Sequence, residues 1–543
     1  MELREHQSQC CEKIETNNFS RGKIILPTGT GKTFIEATLI CNEIEKNQKN
    51  GIYGGIHVVC CPRILLSLQL LKEIGEKASK RNLQVYYMNV NSGEFNSSEL
   101  EEIVRSFGLQ AYEIRSTTSF SEIKEKAAEI KAMNMPMIIV STYHSAYQIQ
   151  MAGLEVGTWI NDEAHYLVSN GDFGQIPKYT CNKMFFCTAT PKLTDDEENG
   201  KGMQNVELFG EQLFFKSPKE MVDKGEMVKP AIHLVGVVGQ DCSTDLSQDY
   251  GSQAASVFDV FNYHRKAIRE HSSVPGRVGA KLVVVCEGQK SLLGIFKSKQ
   301  MVAFIKENRE QNKKVNLYAL SSDFGIYRNG LYNRRADNTS KERLMKDLKA
   351  LKSEDEAIIF HVDMIAEGID VPGITGVMPF RNMGKIKFLQ NVGRASRLFG
   401  DDRTKLYDGS LIPRDFKKYI KPYAWIILPI FLGNSNDSIS RYKEYIRVLR
   451  SDYGFDGSEL ILMNNTNGIS ADKDFDEVAK LEKALHSAGK DITNFVHQLE
   501  DEEQMTIMAD MFFRTALCTD QQKALIISAA FSEGCLEENF PEN

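Results

Sequence analysis

The densest chemistry near the start of the chain lies in ILPTGTGKTFIEA, Ile25 to Ala37. Gly29 and Gly31 allow the backbone to turn its N–H groups inward, and a following helix N-terminus adds positive potential. That is a cradle for phosphate, built from Thr28, Gly29, Thr30, Gly31, Lys32 and Thr33. Lys32 can reach β- and γ-phosphates as a point charge, and the Thr33 hydroxyl can ligate Mg²⁺. The first position of the usual G/A-x-x-x-x-G-K-T pattern is Leu26 here, a departure. Such a loop needs a carboxylate to hold the metal and a group to orient water. VGTWINDEAHYL offers both, at Asp162 for the metal and Glu163 for the water.

These residues must be positioned by regular elements. GKIILP reads as a strand, and FIEATLICNEI has apolar residues near helical spacing at Phe34, Ala37, Ile40 and Ile44. Strand, glycine loop and helix is the context that a phosphate-binding loop requires. The acidic pair likewise ends an apolar run.

Further motifs follow in order. MFFCTATP carries Thr188 and Thr190, EGIDVP spans Glu367 to Pro372, and QNVGRASR spans Gln390 to Arg397. Together with GTGKT and DEAH they resemble the motifs of superfamily 2 helicases of the DExH type, over roughly residues 1–430. HVDMIAEGIDVPGI is similar to motors related to restriction-enzyme Res subunits and phage repair helicases. The resemblance implies an α/β fold of two tandem RecA-like P-loop domains with parallel sheets. It implies ATP and Mg²⁺ as cofactors and hydrolysis at an interdomain cleft. Lys32, Asp162, Glu163, Gln390, Arg394 and Arg397 would be catalytic, the two arginines acting as fingers on the leaving γ-phosphate.

LREHQSQCCEKI resembles the motif that opens these motors, with Gln7 reading the adenine edge and Arg4 assisting. Gly368 and Asp370 would complete the nucleotide site, Asp370 at the ribose or in the coupling network. Thr188 and Thr190 would couple Asp162–His165 to the nucleic-acid strand. Strand contacts are expected at Arg63, Ser141, Thr142 and Arg381, with Lys385 and Lys387 in the same basic loop. Tyr143 has two readings, a base-stacking ring or a packed one.

Apolar runs alternating with helical segments place the first domain at 1–215, a connector at 216–275, the second domain at 276–434 and a helical accessory region at 435–543. The last could dock a protein partner. AWIILPIFLG is too short to span a bilayer and reads as a buried strand. No membrane association is expected.

The bulk numbers fit. A chain of 543 residues has room for roughly two to four domains. Its formal charge of 66 − 73 = −7 excludes a histone-like coat, though not a local basic channel. Eleven cysteines without a C-x-x-C point to reduced thiols rather than a zinc ribbon or disulfide scaffold. The N-terminus carries charges where a signal peptide needs an apolar core, so a cytoplasmic location follows, near a bacterial nucleoid or in a virus-infected cell. The main expectation is an ATP-dependent DNA helicase or translocase. The alternatives are an RNA helicase, and an ATPase switch or scaffold in a repair or phage-defence complex.

Overall fold

The computed structural model describes residues 3–92, 115–169, 171–194, 200–238, 250–321, 325–329, 332–339, 341–362, 371–380, 383–432, 445, 448–449, 451–453 and 460–464. Two compact units emerge. The first runs through Met227 and takes in Leu389–Arg397.

Its sheet has eight strands: β1 Arg21–Ile25, β2 Gly55–Cys61, β3 Tyr86–Val90, β4 Arg115–Thr117, β5 Pro136–Thr142, β6 Val156–Asp162, β7 Lys183–Thr188 and β8 Glu211–Phe215. They lie in the order β4-β3-β5-β2-β6-β7-β1-β8, every pair parallel. A parallel sheet is covered on both faces, so its strands are near-continuous apolar runs. Side chains alternate between the two faces along each strand. Val59 and Cys61 of β2 join one core, shared with helices α1 (Glu5–Thr16), α2 (Lys32–Lys49) and α3 (Ile64–Lys80) through Cys10, Ile14, Ile35, Ile40 and Leu70. Val58 and Cys60 join the opposite core with Trp159 and Phe186.

The second unit has a nine-stranded sheet: β9 Lys229–Val238, β10 Lys281–Val285, β11 Val315–Leu320, β12 Gly325–Asn329, β13 Tyr332–Thr339, β14 Glu356–His361, β15 Gly376–Pro379, β16 Tyr423–Leu432 and β17 Leu460–Asn464. Their order is β13-β12-β11-β14-β10-β15-β16-β9-β17. β12 pairs antiparallel with β11 and β13, and the remaining pairs are parallel. The helix Tyr250–His271 covers this sheet, with Phe258 stacked on Phe304 at 4.2 Å between ring centroids.

Two stretches differ from the reading by composition. The span 216–275, read as a connector, contributes β9 and the helix Tyr250–His271 to the second unit. Its apolar KPAIHLVGVV is sheet material, paired along its whole length with β16. The span 435–543, read as helical, contains β17, which pairs with β9. Residues 465–543 lie outside the described residues. So do Gly368, Asp370 and Arg381. Among the described residues no helix is long and apolar enough to cross a membrane.

Candidate nucleotide site

β1 runs into the loop Leu26–Gly31, and α2 starts at Lys32. Gly29 and Gly31 have φ of +86° and +89°, left-handed values that side-chain-bearing residues adopt at a cost. Both are also crowded. A Cβ on Gly29 would lie 2.8 Å from Cγ and 2.9 Å from Nε of Arg397, and one on Gly31 would collide with the Gln7 amide. The loop is braced internally, since the Thr30 hydroxyl donates to the Pro27 carbonyl at 2.7 Å. It is also braced by α1. The Gln7 amide donates to the Thr30 carbonyl at 3.1 Å while its oxygen accepts from the Arg4 N–H at 3.0 Å. His6 Nε2 lies 2.9 Å from the same carbonyl. Arg4 in turn donates to Glu226 at 3.2 Å. Both ends of the Gln7 amide are therefore satisfied within the chain.

The acidic pair ends β6, two strands from β1. Asp162 is buried, and its carboxylate accepts from the Glu163 N–H at 2.9 Å. Burial, then the charge of Glu163, push Asp162 up to about 7 against the pull of Lys32. Glu163 adopts φ 52° and ψ 46°, which turns its side chain toward Lys32 Nζ at 3.8 Å and His165 Nδ1 at 3.4 Å. Burial raises its carboxyl, but Lys32, His165 and Arg394 outweigh that and hold it below the ordinary value. Glu36, one turn into α2, faces Asp162 and Cys187 with no side-chain exposure. Burial and then Asp162 push it well above the carboxylate range. Neither of its oxygens makes a hydrogen bond of good geometry among the described residues.

Three carboxyl groups thus crowd beside Lys32. Thr28 Oγ1 is buried without a partner among the described residues, at the rim of the same cradle.

Motifs from distant parts of the chain converge here. His165 Nδ1 lies 3.0 Å from Thr188 Oγ1, which accepts from the Thr190 N–H at 3.2 Å. Burial pushes the His165 imidazole below its ordinary value, against the pull of Glu163. Its Nε2 is 3.5 Å from the Gln390 amide. Gln390 and Arg394 are buried on the helix Lys385–Ala395. Gly393 packs so close to Thr28 that a Cβ there would lie 2.8 Å from Thr28 Cβ.

The strand-contact candidates separate. Arg63 is exposed and caps α3. Ser141 is fully buried and donates to the Val90 carbonyl at 2.9 Å, and Thr142 is buried beside Ser145. Their hydroxyls face the interior because both end the central strand β5. Tyr143 is packed, its hydroxyl donating to the Asp162 carbonyl at 2.5 Å. Sequence reading passed over His6, Glu226 and Glu36. A charged residue inside the apolar face of α2 was the signal for Glu36. Nothing local announced the other two.

Residues 1–193 match the family model described as "Type III restriction enzyme, res subunit". Over these residues, which are fewer than half of the chain, it is similar to the Res subunits that its motifs resemble. Residues 456–508 match a domain of unknown function. No curated protein sequence matches the chain. Among solved structures, the ATP-dependent Type ISP restriction-modification enzyme LlaBIII bound to DNA superposes with a TM-score of 0.60 at 16% identity, covering 92% of this chain and 33% of that one. A nuclease-deletion mutant of the Type ISP enzyme LlaGI, in complex with a DNA substrate mimic, gives 0.52 at 18% identity, covering 98% and 37%. At these identities the likeness is one of fold, that of tandem RecA-like units. The chain spans about a third of those proteins' length.

Proposed function

We propose that the chain is an ATP-dependent nucleic-acid motor that hydrolyses ATP and moves along or unwinds DNA. The observation that carries this reading is one cluster. Lys32, Glu163, His165 and Arg394 interact around a loop held open by two left-handed glycines. Lys32 and Arg394 would neutralise charge developing on the transferred phosphoryl group. Glu163, kept ionised by those cations, would orient the attacking water and accept its proton. Mg²⁺, held by Asp162 and Thr33, would polarise the phosphates. Arg63 would contact a backbone phosphate. His165, Thr188 and Gln390 would carry the change at the phosphate outward. The DNA-bound Type ISP structures favour DNA as the track. Residues 435–543 would serve a protein partner.

The test is phosphate release by the full chain with single-stranded, duplex and forked DNA and with RNA of equal length. Glu163→Gln is expected to lower turnover at least about a hundredfold while ATP still binds. Unchanged turnover in that variant would overturn the mechanism. Stronger stimulation by RNA would overturn the choice of track. Brisk hydrolysis without strand displacement or movement would mark a switch rather than a motor.

A further inference from the structure

Beneath the second half of α2 lies a cavity of about 550 Å³ that includes none of the residues discussed above as site residues. Its floor carries two polar residues, Thr158 of β6 and Lys183 of β7. His57 of β2 is in register with Thr158 of β6, and Thr158 with Lys183 of β7. Every next residue on the same face is apolar core: Val59, Ile160 and Phe185. Thr158 is 1% exposed, lines the cavity, and its hydroxyl has no partner among the described residues. A buried polar group left unpaired costs about 1–3 kcal/mol, so such groups ordinarily face a ligand or water. Lys183 is paired with Glu43 of α2 at 2.7 Å, which sets a donor and an acceptor side by side on the wall. Ile14, Leu39 and Phe185 form an apolar wall, and the exposed Lys46 and Lys49 line the cavity together with Glu15 and Glu45.

We propose that this cavity is a second ligand site, taking a small planar molecule with a hydrogen-bonding edge and an anionic tail, the chemistry of a nucleoside monophosphate. The volume suits a ligand of that size. The Thr158 hydroxyl and the Lys183–Glu43 pair offer the mixed donors and acceptors that a base edge requires. The apolar wall covers the base, and Lys46 and Lys49 meet the phosphate. The site is separate from the phosphate loop. Four residues of β6 from Thr158 to Asp162, at a rise of ~3.3 Å each, span about 13 Å. The two sites are joined by α2, which begins at Lys32 and roofs the cavity with its far half.

The test is equilibrium dialysis of the full chain carrying Lys32→Ala, which removes the phosphate-loop lysine, against labelled AMP and GMP, with inorganic phosphate as a separate arm. Retention of about one AMP or GMP per chain is expected, and its loss on adding Thr158→Val. Lys46→Glu with Lys49→Glu, at exposed positions that leave the core alone, is expected to weaken binding by about tenfold or more. No binding by the Lys32→Ala chain would overturn the proposal, as would binding that survives both sets of changes. Phosphate binding as tightly as the nucleotides would also overturn it, by leaving the base without a role. Thermal melting separates the structural alternative. A cavity that merely holds water predicts a higher melting midpoint for Thr158→Val and no change in bound nucleotide.

Discussion

Glu163 holds a left-handed backbone conformation that costs a residue with a β-carbon roughly 1–2 kcal/mol. Strain of this kind persists where neighbours over-determine it, and here Lys32 and His165 both grip the carboxylate. At Gly29 the constraint is reversed, since the position needs φ of +86° and also lacks room beside Arg397. Gly29→Ala is therefore expected to weaken ATP binding more than about tenfold, through strain of roughly 1–2 kcal/mol and a displaced arginine. Equilibrium binding of labelled ATP checks this. Gln7 ties the Arg4 N–H to the Thr30 carbonyl, so Gln7→Ala is expected to cost about 1–2 kcal/mol in a denaturant titration. At this scale the strand, glycine turn and helix around Gly29, Gly31 and Lys32, and the strand that ends at Asp162, were legible as local structure, because their patterns lie a few positions apart. His6 was not. Its contact with Thr30 crosses 24 residues, and nothing in EHQS distinguishes it from any surface histidine.

The strands that carry the site were readable for a physical reason. IHVVCC, MIIVST and MFFCT are buried on both faces, so each is a nearly continuous apolar run. Trp159 illustrates how much such a strand contributes. It is fully buried on β6, and its indole N–H donates to Asn161 at 3.1 Å. Trp159→Ala is expected to cost about 3–5 kcal/mol and lower the melting midpoint by several degrees. The same rule explains what composition hid. β9 begins inside a charged, loop-like stretch, and β17 is a short LILMN between the turn-rich stretches DYGFDGSE and NTNG. Each is fixed by its place beside another strand, which a local pattern does not record. Ser141 and Thr142, expected as strand contacts, are buried for a related reason. A strand end in a doubly covered sheet can still be interior, and both hydroxyls are used there.

Across the whole molecule, buried histidines make stability depend on pH. In the second unit His264 is fully buried, 2.8 Å from the Thr375 hydroxyl, and burial pushes it down to about 3. Its folded value lies below its unfolded one, so the unfolded chain takes up the proton first. The stabilisation is complete above about 6.5 and is lost as pH falls from there toward the folded value. Between pH 7 and pH 5 this one residue is expected to remove about 2 kcal/mol. Urea titrations of wild type and His264→Gln check it, the variant's midpoint changing less over that interval. At the same scale, the tandem α/β architecture was legible from ordered motifs separated by alternating elements. The role of the last hundred residues was not, since no motif there demands a particular chemistry.

The central claim is that Lys32, Glu163 and Arg394, far apart in sequence, act on one phosphoryl group. Steady-state ATP hydrolysis by the full-length Arg394→Ala chain, with Mg²⁺ and single-stranded DNA, tests it most directly. A kcat lower by about a thousandfold, with KM changed only a few-fold, is expected. A kcat within about twofold of wild type would contradict the claim.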